Sequence, residues 1–212
     1  RDPCCQQAEE RYMSIVNPNA PWCPDNLEFI RRINGLKTTA EVKEIVFNAS
    51  YLVMGLGDVY LGAPVATPMD PTHRLVTTKY NPARTWTAQN SVGIGGAYMC
   101  VYGMEGPGGY QLVGRTMPVW RDKGFNSNDD LCWLLRHFDQ IQFYEVEQAA
   151  LFELWKQTLS GEFEPEVVET TFDLNAYLQM IEAKNDEISE FNLRRSQAFG
   201  EEMERWKELP EL

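Results

Sequence analysis

The 212-residue chain carries 31 Asp and Glu against 19 Lys and Arg, a formal charge of -12, with 43% hydrophobic and 24% charged residues. That length and composition suit a folded chain with a sizeable core and exclude disorder as the default, and no apolar run is long enough for a membrane span. Residues 145–212 hold 17 Asp and Glu against 6 Lys and Arg, so the acidity belongs to the tail and argues against a nucleic-acid partner.

The chain begins with Arg rather than Met and shows no cationic, apolar leader, which predicts a segment of a longer cytoplasmic protein. Residues 2–14, DPCCQQAEERYMS, read as a short helix, and NPNAPWCP after it as a turn-rich connector. A second helix is expected from about Asp25 to Asn34, capped by Asp25, with Leu27, Ile30 and Ile33 on one face and Gly35 as its stop. Thr38 and Glu41 have the spacing of a capping box and start a third helical turn.

From Glu44 the period changes. IVFNASYLVMGLGDVYLGAPVATP and the segment from Arg74 to Trp120 place β-branched and aromatic residues in short runs broken by Gly and Pro, and DQIQFYEV resumes the pattern. Many short strands at this spacing favour a closed or nearly closed β-barrel. After Val146 the pattern returns to helix: EQAALFELWKQTLSG ends at Gly161, and FEPEVVETTF is extended. From Asp173 a stripe of Leu174, Tyr177, Leu178, Ile181, Ile188, Phe191, Phe199, Met203 and Trp206 predicts one helix of about 35 residues, roughly 50 Å long.

Five cysteines without CxxC spacing and two histidines, His73 and His137, disfavour a zinc site or a disulfide framework, so no metal is expected. Three glycine-rich segments, MGLGDVYLGAP (54–64), NSVGIGGAY (90–98) and EGPGGYQLVGR (105–115), are candidates for chemistry. GxGxxG is incomplete, GxxxxGK[ST] and GxSxG are absent, and neither nucleotide binding nor a serine nucleophile is supported. Pro107-Gly108-Gly109 reads as a sharp turn with positive φ that leaves backbone amides open to a ligand, or else as a barrel corner with no ligand. Asp58, Tyr60, Lys79, Tyr80, Asn81 and Arg84 gather polar groups between these segments, with Pro82 stiffening a turn that could present both cations; a solvated hairpin is the alternative.

YLVMGLGDVYLGAPVATPMDP, followed by TTKYNPARTWTAQNSVGIGGAYMCVYGMEGPGGYQLVGRT, closely resembles the carboxyltransferase region of urea carboxylases, the fungal urea amidolyases included, over about residues 8–150. GLGDVYLG and SVGIGG are more distantly similar to the smaller subunit of two-chain 5-oxoprolinases and to sporulation kinase-inhibitor proteins. Gly95-Gly96-Ala97 departs from those relatives, which commonly have Gln after the paired glycines. The resemblance implies a mainly β fold with flanking helices (α+β): a helical segment at 1–43, a cyclophilin-like β-barrel at 44–146 forming half of a carboxyltransferase site, and an acidic helical extension at 147–212 leading toward a biotin carrier domain.

It further implies that carboxybiotin arrives on that carrier, that ATP is used by a separate biotin carboxylase domain, and that urea becomes allophanate. The opposing half-site would come from a homologous barrel of the same polypeptide, so the chain alone should be inactive. Stabilising charge that develops on the departing biotin suits Arg84, Lys79 and exposed amides, with Asn81 beside them, and of the two cations Arg84 is preferred because its planar fork matches a ureido or carboxylate group. Asp58, Tyr60, Tyr80, Gly95, Gly96, Gly108 and Gly109 are expected to line the substrate site, Tyr110 or Gln111 to close it, and Glu105 to fix the turn or orient Arg115. A guanidine carboxylase is the alternative substrate reading, with Asp58 or Asp139 near a cationic substrate. A non-catalytic regulatory module related to the kinase inhibitors is the alternative from another class.

Overall fold

The computed structural model describes residues 1–57, 62–125 and 131–208. Three short helices open it, each started by its own side-chain cap. Asp2 accepts from the amides of Cys4 and Cys5 at the start of α1 (Pro3–Ile15), and Asp25 accepts from Leu27 and Glu28 at the start of α2 (Asn26–Ile33). Thr38 and Glu41 form a reciprocal capping box on α3 (Thr39–Asn48). This helix runs through residues 44–48, where strand was expected. Val42 and Val46 sit one helical turn apart and both bury in a cluster with Ile30, Leu36, Leu75 and Ile94, so tertiary packing overrides the β-branched composition.

The strands are β1 (Ser50–Leu56), β2 (Pro64–Pro68), β3 (Arg84–Thr87), β4 (Ser91–Gly95), β5 (Tyr98–Tyr102), β6 (Gly106–Gly108), β7 (Gln111–Arg115) and β8 (Gln140–Gln142). Six form a curled antiparallel half-barrel in the order β7-β4-β5-β2-β1-β8, and β3 pairs with β6 as a separate ribbon. Alternation decides the faces. Tyr51, Val53, Ala66, Met99, Val101 and Val92 meet in register on one face and form its main core. Of the other face, Cys100 and Tyr102 are covered by Tyr110, and Leu112 by Cys5 and Ala8 of α1. Over β2 and β1 the same face is open: Leu52, Val65 and Thr67 are half-buried, while Met54 and Tyr98 are 51% and 47% exposed.

The edge strand β7 does not offer its backbone to another chain. Its outward groups meet side chains in alternation: Tyr110 O accepts from Arg84 (2.6 Å), the Leu112 amide donates to Asn26 Oδ1 (2.9 Å), and the Cys5 thiol lies 3.7 Å from Gly114 O. Just beyond the strand, Thr116 O accepts from Trp155 Nε1 at 2.8 Å. Trp155 belongs to α4 (Gln148–Ser160), which ends as expected at Gly161 in the left-handed region.

The single long helix expected from Asp173 is two: α5 (Leu174–Ala183) and α6 (Asn185–Trp206), broken at Lys184. Lys184 Nζ reaches Asp70 Oδ2 at 2.5 Å, and Tyr177 of α5 donates to Met69 O. Along α6, Phe191 is buried, Arg195 donates to Arg74 O, Glu202 pairs with Arg32 at 3.0 Å, and Trp206 stacks on Phe29. Among the described residues no helix is long and apolar enough to cross a membrane.

Candidate functional site

The segments at 78–84 and 105–110 come together at one end of the β3–β6 ribbon. Arg84 stands opposite Gly108 in the ribbon, and the Tyr80 amide donates to Gly109 O at 2.6 Å. Lys79 is exposed, and its ammonium sits 4.7 Å from the centre of the Tyr110 ring, a cation–π contact. Asn81, next along the loop, is also exposed. Tyr80 is buried, its hydroxyl hydrogen-bonded with the Asn26 side chain, and burial pushes its phenol well above the ordinary range. Burial likewise pushes neighbouring Cys23 up to about 11, so this cysteine is a neutral thiol near pH 7.

Arg84 lies beneath this loop, 1% exposed. Its Nη1 donates to Tyr110 O at 2.6 Å, its Nε and Nη2 both reach Thr87 Oγ1 at 3.3 Å, and its guanidinium lies 4.3 Å from the Tyr80 ring centre. The two cations are therefore divided by the loop, Lys79 on the surface and Arg84 below it.

The glycines have a packing cause. In Ser91-Val92-Gly93-Ile94-Gly95, Val92 and Ile94 face the core, while Gly93 and Gly95 bare the other face for Tyr110: a Cβ on Gly95 would come within 2.3 Å of its ring. Gly108 clears space for Thr87 Oγ1 and the Tyr102 ring, which a Cβ would approach to 2.7 Å. Gly96 adopts φ 62 and exchanges backbone hydrogen bonds with Thr77. Gly108 and Gly109 are not in the left-handed region, and Gly106–Gly108 is a strand, so the turn expected at Pro107-Gly108-Gly109 is replaced by a ribbon. Pro107 fits there because a two-stranded ribbon leaves one side unpaired.

Lys79 and Gly95 thus meet at the Tyr110 ring, Gly109 lies against Lys79 and Tyr80, Arg84 packs on the Tyr80 ring, and Gly108 faces Thr87 and Tyr102. Gln111 is fully buried, its Nε2 donating to Thr78 O at 2.9 Å, and ties the loop rather than facing out. Glu105 is exposed, and Arg115, its expected partner, turns instead to Asp2 at 2.9 Å and packs on the rings of Trp155 and Phe152. Asp139 stands beside β8, at the opposite end of the sheet from β7, and pairs with Arg136. Asp58 and Tyr60 lie outside the described residues.

Asn26 went unread in the sequence. Fully buried, it donates to Trp22 O, bonds the Tyr80 hydroxyl and accepts from the Leu112 amide, while its own amide donates to Glu9 Oε1. It thereby joins α1, α2, the Lys79 loop and β7. An Asn beside an Asp cap carries no sequence signal beyond a helix start. A cleft of about 420 Å³ lies elsewhere, between the connector at Pro18–Pro24 and α6, with Arg32, Glu202 and Arg205 on its wall.

The family model of the carboxyltransferase domain, subdomain C and D, matches residues 10–128. The urea amidolyase of Saccharomyces cerevisiae is 42% identical over 86% of this chain and 10% of its own length, and that of Lachancea kluyveri is 43% identical over 92% of this chain and 11% of its own. The crystal structure of the Kluyveromyces lactis urea carboxylase superposes with a TM-score of 0.85 at 39% identity, over 94% of this chain and 18% of that one. The chain therefore spans about a tenth of the length of these curated relatives.

Proposed function

This chain belongs to the carboxyltransferase domain family, subdomain C and D, and we propose that it supplies one half of the site where a biotin-dependent urea carboxylase passes a carboxyl group to urea. In that transfer the N–C bond to the departing ring breaks, a C–N bond to a urea nitrogen forms to give allophanate, and the proton lost by that nitrogen is taken up by the departing ring. Biotin on a separate carrier domain supplies the carboxyl group, and ATP is used by another domain again. The observation that carries this reading is the exposed Lys79 ammonium poised on the Tyr110 ring beside the half-buried, side-chain-free backbone of Gly109.

A flat ureido group or carboxylate can approach bare backbone closely, and a fixed ammonium stabilises the negative charge that grows as the N–C bond breaks. Asn81, exposed next to Lys79, supplies both a donor and an acceptor suited to a neutral amide such as urea. Biotin, when bound, would supply the acceptor for the urea proton, so the site would need no histidine.

Lys79→Gln in the complete enzyme tests this. Urea-dependent turnover should fall on the order of 100-fold while biotin-dependent ATP cleavage by the separate carboxylase domain persists. Undiminished turnover would remove Lys79 from the mechanism.

A further inference from the structure

We propose that Arg84 is a positioning residue, which from beneath the loop holds the Tyr80–Tyr110 frame on which the Lys79 ammonium rests, and does not itself touch substrate. This rests on Lys79 being the cation of the site. Among the described residues no carboxylate pairs with Arg84, although it is 1% exposed. A buried guanidinium without a counter-ion costs more than an apolar side chain of its size, so its presence calls for a use that only a planar fork serves.

That use is visible in its contacts. Nη1 fixes the carbonyl of Tyr110, the residue whose ring Lys79 covers, and the guanidinium face fixes the ring of Tyr80, the residue that follows Lys79. Nε and Nη2 close on Thr87 Oγ1, whose space is kept free by Gly108. Tyr80 is held from its far end by Asn26, and its amide by Gly109 O. One guanidinium thus sets both sides of the Lys79–Tyr110 contact, and removing its fork lets the two sides move independently.

NMR of the full chain tests this apart from activity. The side-chain Cε protons of Lys79 should show an upfield ring-current displacement, with Tyr110→Leu defining the position without the ring. In Arg84→Met and in Thr87→Val, which keeps side-chain volume but removes the acceptor, that resonance should move most of the way to the Tyr110→Leu position. In the complete enzyme both variants should lower kcat about 10-fold with KM little changed. A folded variant of either kind that keeps the wild-type Lys79 resonance overturns the proposal, and if Arg84→Met does not fold, Thr87→Val decides alone. The Lys79 reading fails separately: if Lys79→Gln keeps full turnover, that cation is not catalytic, whatever its resonance does in the other variants.

Discussion

Gly95 and Gly109 sit in similar glycine-rich sequence, yet their neighbours differ. A Cβ on Gly95 would meet the Tyr110 ring at 2.3–2.8 Å, and that ring, 4% exposed, has little room to retreat. Gly95→Ala should therefore destabilise the chain by about 1–3 kcal/mol, read from the midpoint of urea unfolding. A Cβ on Gly109 would meet Lys79 Cβ and the Tyr80 backbone at 3.5 Å or more, and its φ is not left-handed, so Gly109→Ala should change stability by less than about 0.5 kcal/mol. Equal losses at the two positions would contradict this account. The sequence marked these glycines as bare backbone but could not say what fills the space, because the occupant of the Gly95 space, Tyr110, arrives from the distant bend between β6 and β7. It also put Arg84 ahead of Lys79, because a planar fork suits a ureido or carboxylate group better than a point charge; only the fold puts Lys79 at the surface and Arg84 in the core.

Helix starts were the most legible elements, since the Asp25 cap and the Thr38–Glu41 box are local chemistry that the structure reproduces. The break at Lys184 was not legible, because no Gly or Pro marks it; a distant carboxylate does. Burial raises the Asp70 carboxyl, but hydrogen bonds from Lys184 and from the Thr72 hydroxyl and amide outweigh it and hold the group at about 2, below its ordinary 3.8. A carboxyl lowered on folding adds stability that is complete above the unfolded value and is lost as pH falls from about 4 through about 2. Lys184→Met should therefore flatten part of the acid limb of the stability curve between pH 4 and 2 and leave the shape above pH 5 unchanged. Chemical unfolding across that range checks it, and an unaltered acid limb would show that the pair does not fasten α5 and α6 to the half-barrel.

At the scale of the whole molecule, the two faces of the curled sheet have unequal cover. One is packed by α2 and α3 over Ile94 and by Val119, Leu135 and Phe143 over the rest, whereas among the described residues the other is closed toward β7, by α1, Tyr110 and the β3–β6 ribbon. Over β2 and β1 the open face presents Met54 and Tyr98 among the half-buried Leu52, Val65 and Thr67. Apolar groups left uncovered on a sheet face are where another part of a larger enzyme can bury surface, and the curated relatives, of which this chain spans about a tenth, have ample further polypeptide to do so. If the opposing half of the carboxyltransferase site covers this face, a charge placed there should cost assembly and not folding. Met54→Glu and Tyr98→Glu change side chains that are about half exposed, so the melting temperature of the 212-residue chain should move little, within about 0.5 kcal/mol of stability. In the complete enzyme the same carboxylates would be buried without a partner, and carboxyl transfer to urea should fall 10-fold or more while ATP cleavage by the separate domain continues. Full transfer activity in both variants would show that the opposing half lies elsewhere, and a drop in the melting temperature of the chain alone would show that this face is already part of its own core.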